Sequence, residues 1–133
     1  TNNQVTIVPD LSNLINLKKL WLSNNKIAKL SDISKSTNLT WIYINNNQLT
    51  ELPDISNLIH LEVLEVSMNQ LTRLPDISNL TNLTWLSVKN NKLTELPDIS
   101  NLVDLILLDL SNNQLTQLPD ISKLFRLQDI DLS

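Results

Sequence analysis

Apolar and polar positions along this chain recur every twenty-two positions, with no insertion. Leu17, Leu39, Leu61, Leu83, Leu105 and Leu127 hold one phase of the period. Asn3, Asn25, Asn47, Asn69, Asn91 and Asn113 hold a second, and Asp10, Asp32, Asp54, Asp76, Asp98 and Asp120 a third. Three phases kept in step over six units are the mark of a repeat architecture, which is read before any local propensity. One unit, residues 83–104, shows the plan: LTWLSVKNNKLTELPDISNLVD. Leu86 and Val88 are two apart between polar neighbours, the alternation of a short strand. From Leu93 the spacing becomes three, through Leu96, Ile99, Leu102 and Leu105. A period of three fits a 3₁₀ or polyproline-like return leg and excludes a long α-helix. Pro97 removes a donor and biases Leu96 to extended backbone, and Asp98 stands where its carboxylate caps the turn that follows.

Each unit is therefore a strand, a bend at the asparagine and a return leg. A unit of this length cannot bury enough apolar surface alone to offset the entropy of ordering it. Neighbouring units must cover both open faces, so the units stack. Equivalent strands then lie parallel in one sheet about 4.8 Å apart, and the closer spacing on the strand side bends the stack with the sheet inside. The expected organisation is one segment, residues 1–133. A partial repeat, 1–16, leads into full repeats 17–38, 39–60, 61–82, 83–104 and 105–126 and a partial repeat 127–133. Neither end carries a cap, and the natural protein is expected to continue in both directions.

Composition narrows the chemistry. The 133 residues include no Gly and no Cys, one His (His60) and 19 Asn. Glycine-rich phosphate loops, disulfides, thiol nucleophiles and histidine clusters are excluded. No apolar run approaches the ~18 residues of a membrane span. A net charge of −4 and a pI near 4.7 argue against nucleic acid or an anionic membrane as partner. No catalytic residue, metal ligand or cofactor site is expected. The asparagine phase is read as structural, because a side-chain amide at the bend satisfies backbone groups that the turn leaves unpaired.

The pattern LxxLxLxxNxL resembles the leucine-rich repeat family, and stretches of the NNQLTELPDISNLTNL kind resemble its bacterial internalin-type subclass of the same period. The resemblance covers the whole chain and departs in two respects: no cap is present, and the proline falls one residue earlier than in the usual internalin return leg. It implies an α/β-type repeat solenoid, mostly β plus 3₁₀ and coil. The expected shape is a right-handed curved array with a parallel β-sheet on the concave face. It also implies a non-enzymatic module of a bacterial surface or secreted protein, acting as a monomer toward a protein partner, with a host receptor among the candidates. Two other readings stay open: an intracellular scaffold of the phosphatase-regulator type, whose repeats share this period, and the recognition module of a multidomain enzyme.

Repeat phase also locates the candidate site. Positions beside the buried strand residues face outward, and all three Trp and the single Tyr fall there: Trp21, Trp41, Tyr43 and Trp85. With Val63 and Leu107 they are expected to form an apolar stripe, Trp41–Val63–Trp85–Leu107, with an aromatic cluster at its N-terminal end. Lys18 and Lys19 mark that end, while Glu65, Asp109, Asp129 and Asp131 gather toward the other. The serine phase at Ser67 and Ser111 is placed on the same outward face. Two accounts of the aromatics stand side by side: cross-strand bracing, and an anchor patch for a protein partner. The second is the expectation carried forward, with Trp41 and Trp85 pointing away from the core. Ser31 and Ser36, standing where other units have Pro and Leu, are expected to soften the unit 17–38.

Overall fold

The computed structural model describes residues 3–133. Thr1 and Asn2, in the first partial repeat, lie outside the described residues. Six three-residue strands follow one another: β1 (Lys19–Trp21), β2 (Trp41–Tyr43), β3 (Val63–Glu65), β4 (Trp85–Ser87), β5 (Leu107–Asp109) and β6 (Asp129–Asp131). They form one parallel sheet in sequential order, each residue paired with its equivalent in the next unit. The chain is a solenoid of stacked coils with this sheet on its concave face. Among the described residues there is no helix, and so none long and apolar enough to cross a membrane.

The buried phases of the repeat fill the interior as ladders. Leu20, Ile42, Leu64, Leu86 and Leu108 point inward from the strands, and Ile44, Val66, Val88 and Leu110 follow two residues on. Ile33, Ile55, Ile77 and Ile99 meet them from the return legs. The return leg is not a continuous 3₁₀ helix. Two single turns suffice in each unit, as in the bonds from Leu58 N–H to Ile55 C=O at 3.0 Å and from Leu61 N–H to Leu58 C=O at 2.9 Å. Leucines spaced by three face the core because each turn advances the chain by that step.

Sharp bends without glycine are made by asparagine. Asn24, Asn46, Asn90 and Asn112 sit at φ between 53° and 60°, a left-handed conformation that Asn tolerates and most residues avoid. Met68 holds the same place at φ 55°, and its side chain is 51% exposed, so little burial compensates the strain. Met68→Asn is therefore expected to raise stability by about 1 kcal/mol, read as an upward shift of the urea midpoint.

In the unit 17–38, where softness is expected, the two serines make polar contacts to the preceding coil. Ser36 is fully buried, and its hydroxyl donates to Leu14 C=O of the preceding coil at 3.0 Å. Ser31 Oγ accepts from Leu11 N–H at 3.1 Å. Both serines thus tie coils together where other units rely on aliphatic packing or a rigid ring. Phe125 is exposed, and nothing in the structure explains it.

Candidate concave binding face

Strand alternation sends residues 20, 42, 64, 86 and 108 into the core and their neighbours to the opposite face. In-register stacking turns each repeat position into a row across the sheet. The first row runs Lys19, Trp41, Val63, Trp85, Leu107, Asp129, and the second Trp21, Tyr43, Glu65, Ser87, Asp109, Asp131. All ten residues singled out in the sequence lie in these two rows. Trp41 and Trp85 are two strand spacings apart, about 10 Å, with Val63 between them.

The aromatic residues differ in setting. Trp21 is 65% exposed and Trp85 42%, whereas Trp41, Tyr43, Val63 and Leu107 are half-buried. Trp21 and Tyr43 meet edge to face, with centroids 6.3 Å apart and planes at 82°. Lys19 Nζ lies 3.6 Å from the Trp41 ring centroid and 6.0 Å from that of Trp21, a cation held against the negative faces of two indoles. Each tryptophan of the first row also donates its indole N–H to a carboxylate. Trp41 Nε1 reaches Glu62 Oε2 at 3.3 Å, and Trp85 Nε1 reaches Glu65 Oε2 at 3.3 Å. Glu65 Oε1 accepts Ser67 N–H at 3.1 Å, so both oxygens of this residue are engaged in holding the face. Trp41 faces away from the core, as the repeat phase placed it, but it is half-buried and not free. Lysine, carboxylate and neighbouring strands fix it in place. Repeat phase identified the indoles, but the cation and the carboxylates that orient them come from the adjacent coils.

The serine phase is corrected. Ser67 and Ser111 are buried, as is Ser87 in the second row. Ser67 Oγ and Ser87 Oγ share a hydrogen bond of 2.6 Å, and Ser111 donates its N–H and hydroxyl to Asp109 Oδ1 at 3.0 and 2.6 Å. A short hydroxyl can fold back onto the sheet margin, so these serines are spent on bonds within the array.

At the far end, Asp131 Oδ1 accepts Ser133 N–H at 3.0 Å and its hydroxyl at 2.7 Å. Those bonds, with the Lys89 ammonium adding to them, hold the Asp131 carboxyl below the usual carboxylate range. Asp109 lies 3.9 Å from Lys89 Nζ. The Asp129 carboxylate makes no hydrogen bond or ion pair among the described residues. An open groove of about 590 Å³ runs along the strand-entry edge past Thr40, His60, Glu62 and Thr84. Among the described residues, no group of three His, Cys, Asp or Glu side chains is placed to hold a metal ion.

On the return legs, every aspartate of the third phase accepts the N–H of the serine two residues on, as Asp54 does from Ser56 at 2.9 Å and Asp76 from Ser78 at 2.9 Å. These bonds from serine lower the pKa of Asp10, Asp32, Asp54, Asp76, Asp98 and Asp120. A carboxyl that is more acidic folded than unfolded stabilises the folded state in full above its unfolded pKa, about 3.9. That stabilisation fades as pH falls through the lower folded value. The thermal midpoint is thus expected to stay level from neutral pH to about pH 5 and to drop below about pH 4. Asp54→Asn with Asp76→Asn should flatten that acid limb in melts followed by circular dichroism.

A family model described as Leucine Rich repeats (2 copies) matches residues 1–35, 37–79 and 81–123. A comparison with curated proteins gives no match. Among solved structures, a leucine-rich repeat protein of Leptospira interrogans superposes with a TM-score of 0.90 at 33% identity, over 99% of this chain and 35% of its own. The functional domain of InlJ from Listeria monocytogenes, which includes a cysteine ladder, gives 0.79 at 32% identity, over 97% of this chain and 32% of its own. The leucine-rich effector YopM of Yersinia pestis gives 0.82 at 32% identity, over 100% of this chain and 42% of its own. The chain thus spans about a third to two fifths of the length of these bacterial proteins.

Proposed function

The chain belongs to the leucine-rich repeat family, and from that premise we propose that it is a protein-binding module whose concave sheet is the docking face. In this reading it is a single repeat segment of a bacterial surface or secreted protein of the internalin kind. It works as a monomer toward its partner and carries out no catalysis of its own. The bacterial proteins it resembles, InlJ and YopM among them, support the class.

One observation carries the assignment: the chain's three Trp and its single Tyr stand on one face, in two adjacent rows, with Trp21 and Trp85 well exposed. The repeat scaffold asks for no aromatic there, since its interior is filled by Leu, Ile and Val. Exposed indoles flanked by Val63 and Leu107 form the kind of large apolar anchor that dominates interface energy.

Trp85→Ala is expected to weaken partner binding at least about 10-fold, some 1.4 kcal/mol, while leaving the thermal midpoint almost unchanged. Trp41→Ala should weaken binding comparably and also cost about 1 kcal/mol of stability, because Lys19 and Glu62 lose the ring they rest on. Calorimetric titration beside thermal melts separates the two effects. Unchanged affinity in both variants with a large fall in midpoint would assign the rings to bracing alone.

A further inference from the structure

Charge on the concave face changes sign along the array. At β1, Lys19 brings an ammonium group to the face, unpaired with any carboxylate among the described residues, while Lys18 stands just before the strand, on the entry edge. Lys19 is held instead over the Trp41 ring, its charge oriented but not neutralised. At the other end, Asp109 and Asp131 stand directly opposite one another on β5 and β6, with Asp129 beside them. Like charges facing across neighbouring strands repel, and these three carboxylates have one nearby ammonium, Lys89, 3.9 Å from Asp109. Between the two ends the first row carries no charge: Trp41, Val63, Trp85, Leu107. The first row is therefore basic, apolar and acidic in that order, and its charged ends lie five strand spacings apart, about 24 Å. Glu65 of the second row stands in between, its carboxylate engaged by Trp85 and Ser67.

We propose that this face takes an extended polypeptide segment in a single orientation, acidic side chains toward Lys19 and basic side chains toward Asp109, Asp129 and Asp131, with apolar side chains over Val63, Trp85 and Leu107. The proposal rests on the docking face described under the proposed function and adds the chemistry and polarity of what docks there. At about 3.3 Å per residue, an extended segment covers the distance in about seven residues. Its acidic and basic groups are thus separated by about that number. The reversed orientation would bring like charges together at both ends, which is how electrostatic complementarity selects register more than raw affinity.

The probe is a phage-displayed library of random dodecapeptides, selected on the wild-type chain, on Asp129→Lys/Asp131→Lys and on Trp41→Ala/Trp85→Ala, each checked for native circular dichroism. Peptides selected on wild type should carry an acidic and a basic cluster about seven residues apart around an apolar centre. A synthesised winner should bind Asp129→Lys/Asp131→Lys at least tenfold more weakly, with the loss larger at low salt. That variant should itself select peptides acidic at both ends. Apolar peptides bound equally by wild type and the charge-reversed variant, yet lost on Trp41→Ala/Trp85→Ala, would overturn the polarity and leave the docking face standing. Peptides that bind Trp41→Ala/Trp85→Ala undiminished would overturn the docking face and the polarity with it. No enrichment on wild type, or a self-association abolished by Trp85→Ala that shows a second copy on the face, would also overturn the proposal.

Discussion

Leu86→Ala should destabilise the array by about 3–5 kcal/mol, among the largest effects of any single truncation in the chain. Leu86 is fully buried at the centre of β4, in register with Leu64 on one side and Leu108 on the other. Its coil is held on both sides by parallel pairing, so the neighbouring coils cannot close over the space that a lost isobutyl group leaves. The cost is then the transfer term plus nearly the whole cavity term. Because the array is close to one-dimensional, weakening a middle coil also divides the cooperative unit. Urea melts of Leu86→Ala should show a lower midpoint and a broader transition. Glu95→Ala, on an exposed return-leg position, should stay within about 0.5 kcal/mol of wild type. A larger loss from Glu95→Ala than from Leu86→Ala would mean that the inward and outward phases are misassigned.

Asn69→Ala is expected to cost about 3 kcal/mol although it removes only a small polar group. The Asn69 amide is buried and fully used. Its Oδ1 accepts Leu49 N–H at 3.0 Å, and its Nδ2 donates to Ile44 C=O and Val66 C=O at 3.0 Å each and to Ser67 C=O at 3.2 Å. Two of these partners, Leu49 and Ile44, belong to the preceding coil. The asparagine therefore closes its own bend and joins it to its neighbour in one residue. Alanine leaves a buried N–H and buried carbonyls without partners, each worth about 1–3 kcal/mol when abandoned. Asn91, with the same four kinds of contact to Leu71, Val66, Val88 and Lys89, should respond alike. Amide exchange should locate the damage: protection should fall at Leu49 in Asn69→Ala and at Leu71 in Asn91→Ala, one coil before the substitution.

The candidate site was legible for a reason particular to repeats. When every unit has the same length, position within the unit becomes position on the stack. Trp41, Val63, Trp85 and Leu107 could thus be assigned to one row before any coordinates, and the strand register bears that row out. Contacts within the face were not legible in the same way. That Lys19 settles on Trp41, that Glu65 takes the Trp85 indole N–H, and that Ser67 turns inward to Ser87 all depend on rotamers chosen among neighbours in adjacent coils. Repeat phase says which side chains are adjacent, but not which of several partners each will take.

By itself, the sequence determined the coil length, the strand positions, the register and the division of the apolar and aromatic positions into buried and outward rows. A strict period with no insertion admits one in-step stacking, and the change of spacing from two to three marks where each strand gives way to its return leg. Only the tertiary structure decided how the backbone manages without glycine, through left-handed Asn24, Asn46, Asn90 and Asn112 and a strained Met68. It also decided that Ser36 bonds to the preceding coil, and that Asn69 bonds backward into the previous coil. Those outcomes rest on the exact approach of one coil to the next. A side-chain oxygen or amide finds its partner only when stacking brings the neighbouring backbone within about 3 Å, and the pattern of a single repeat carries no information about that distance.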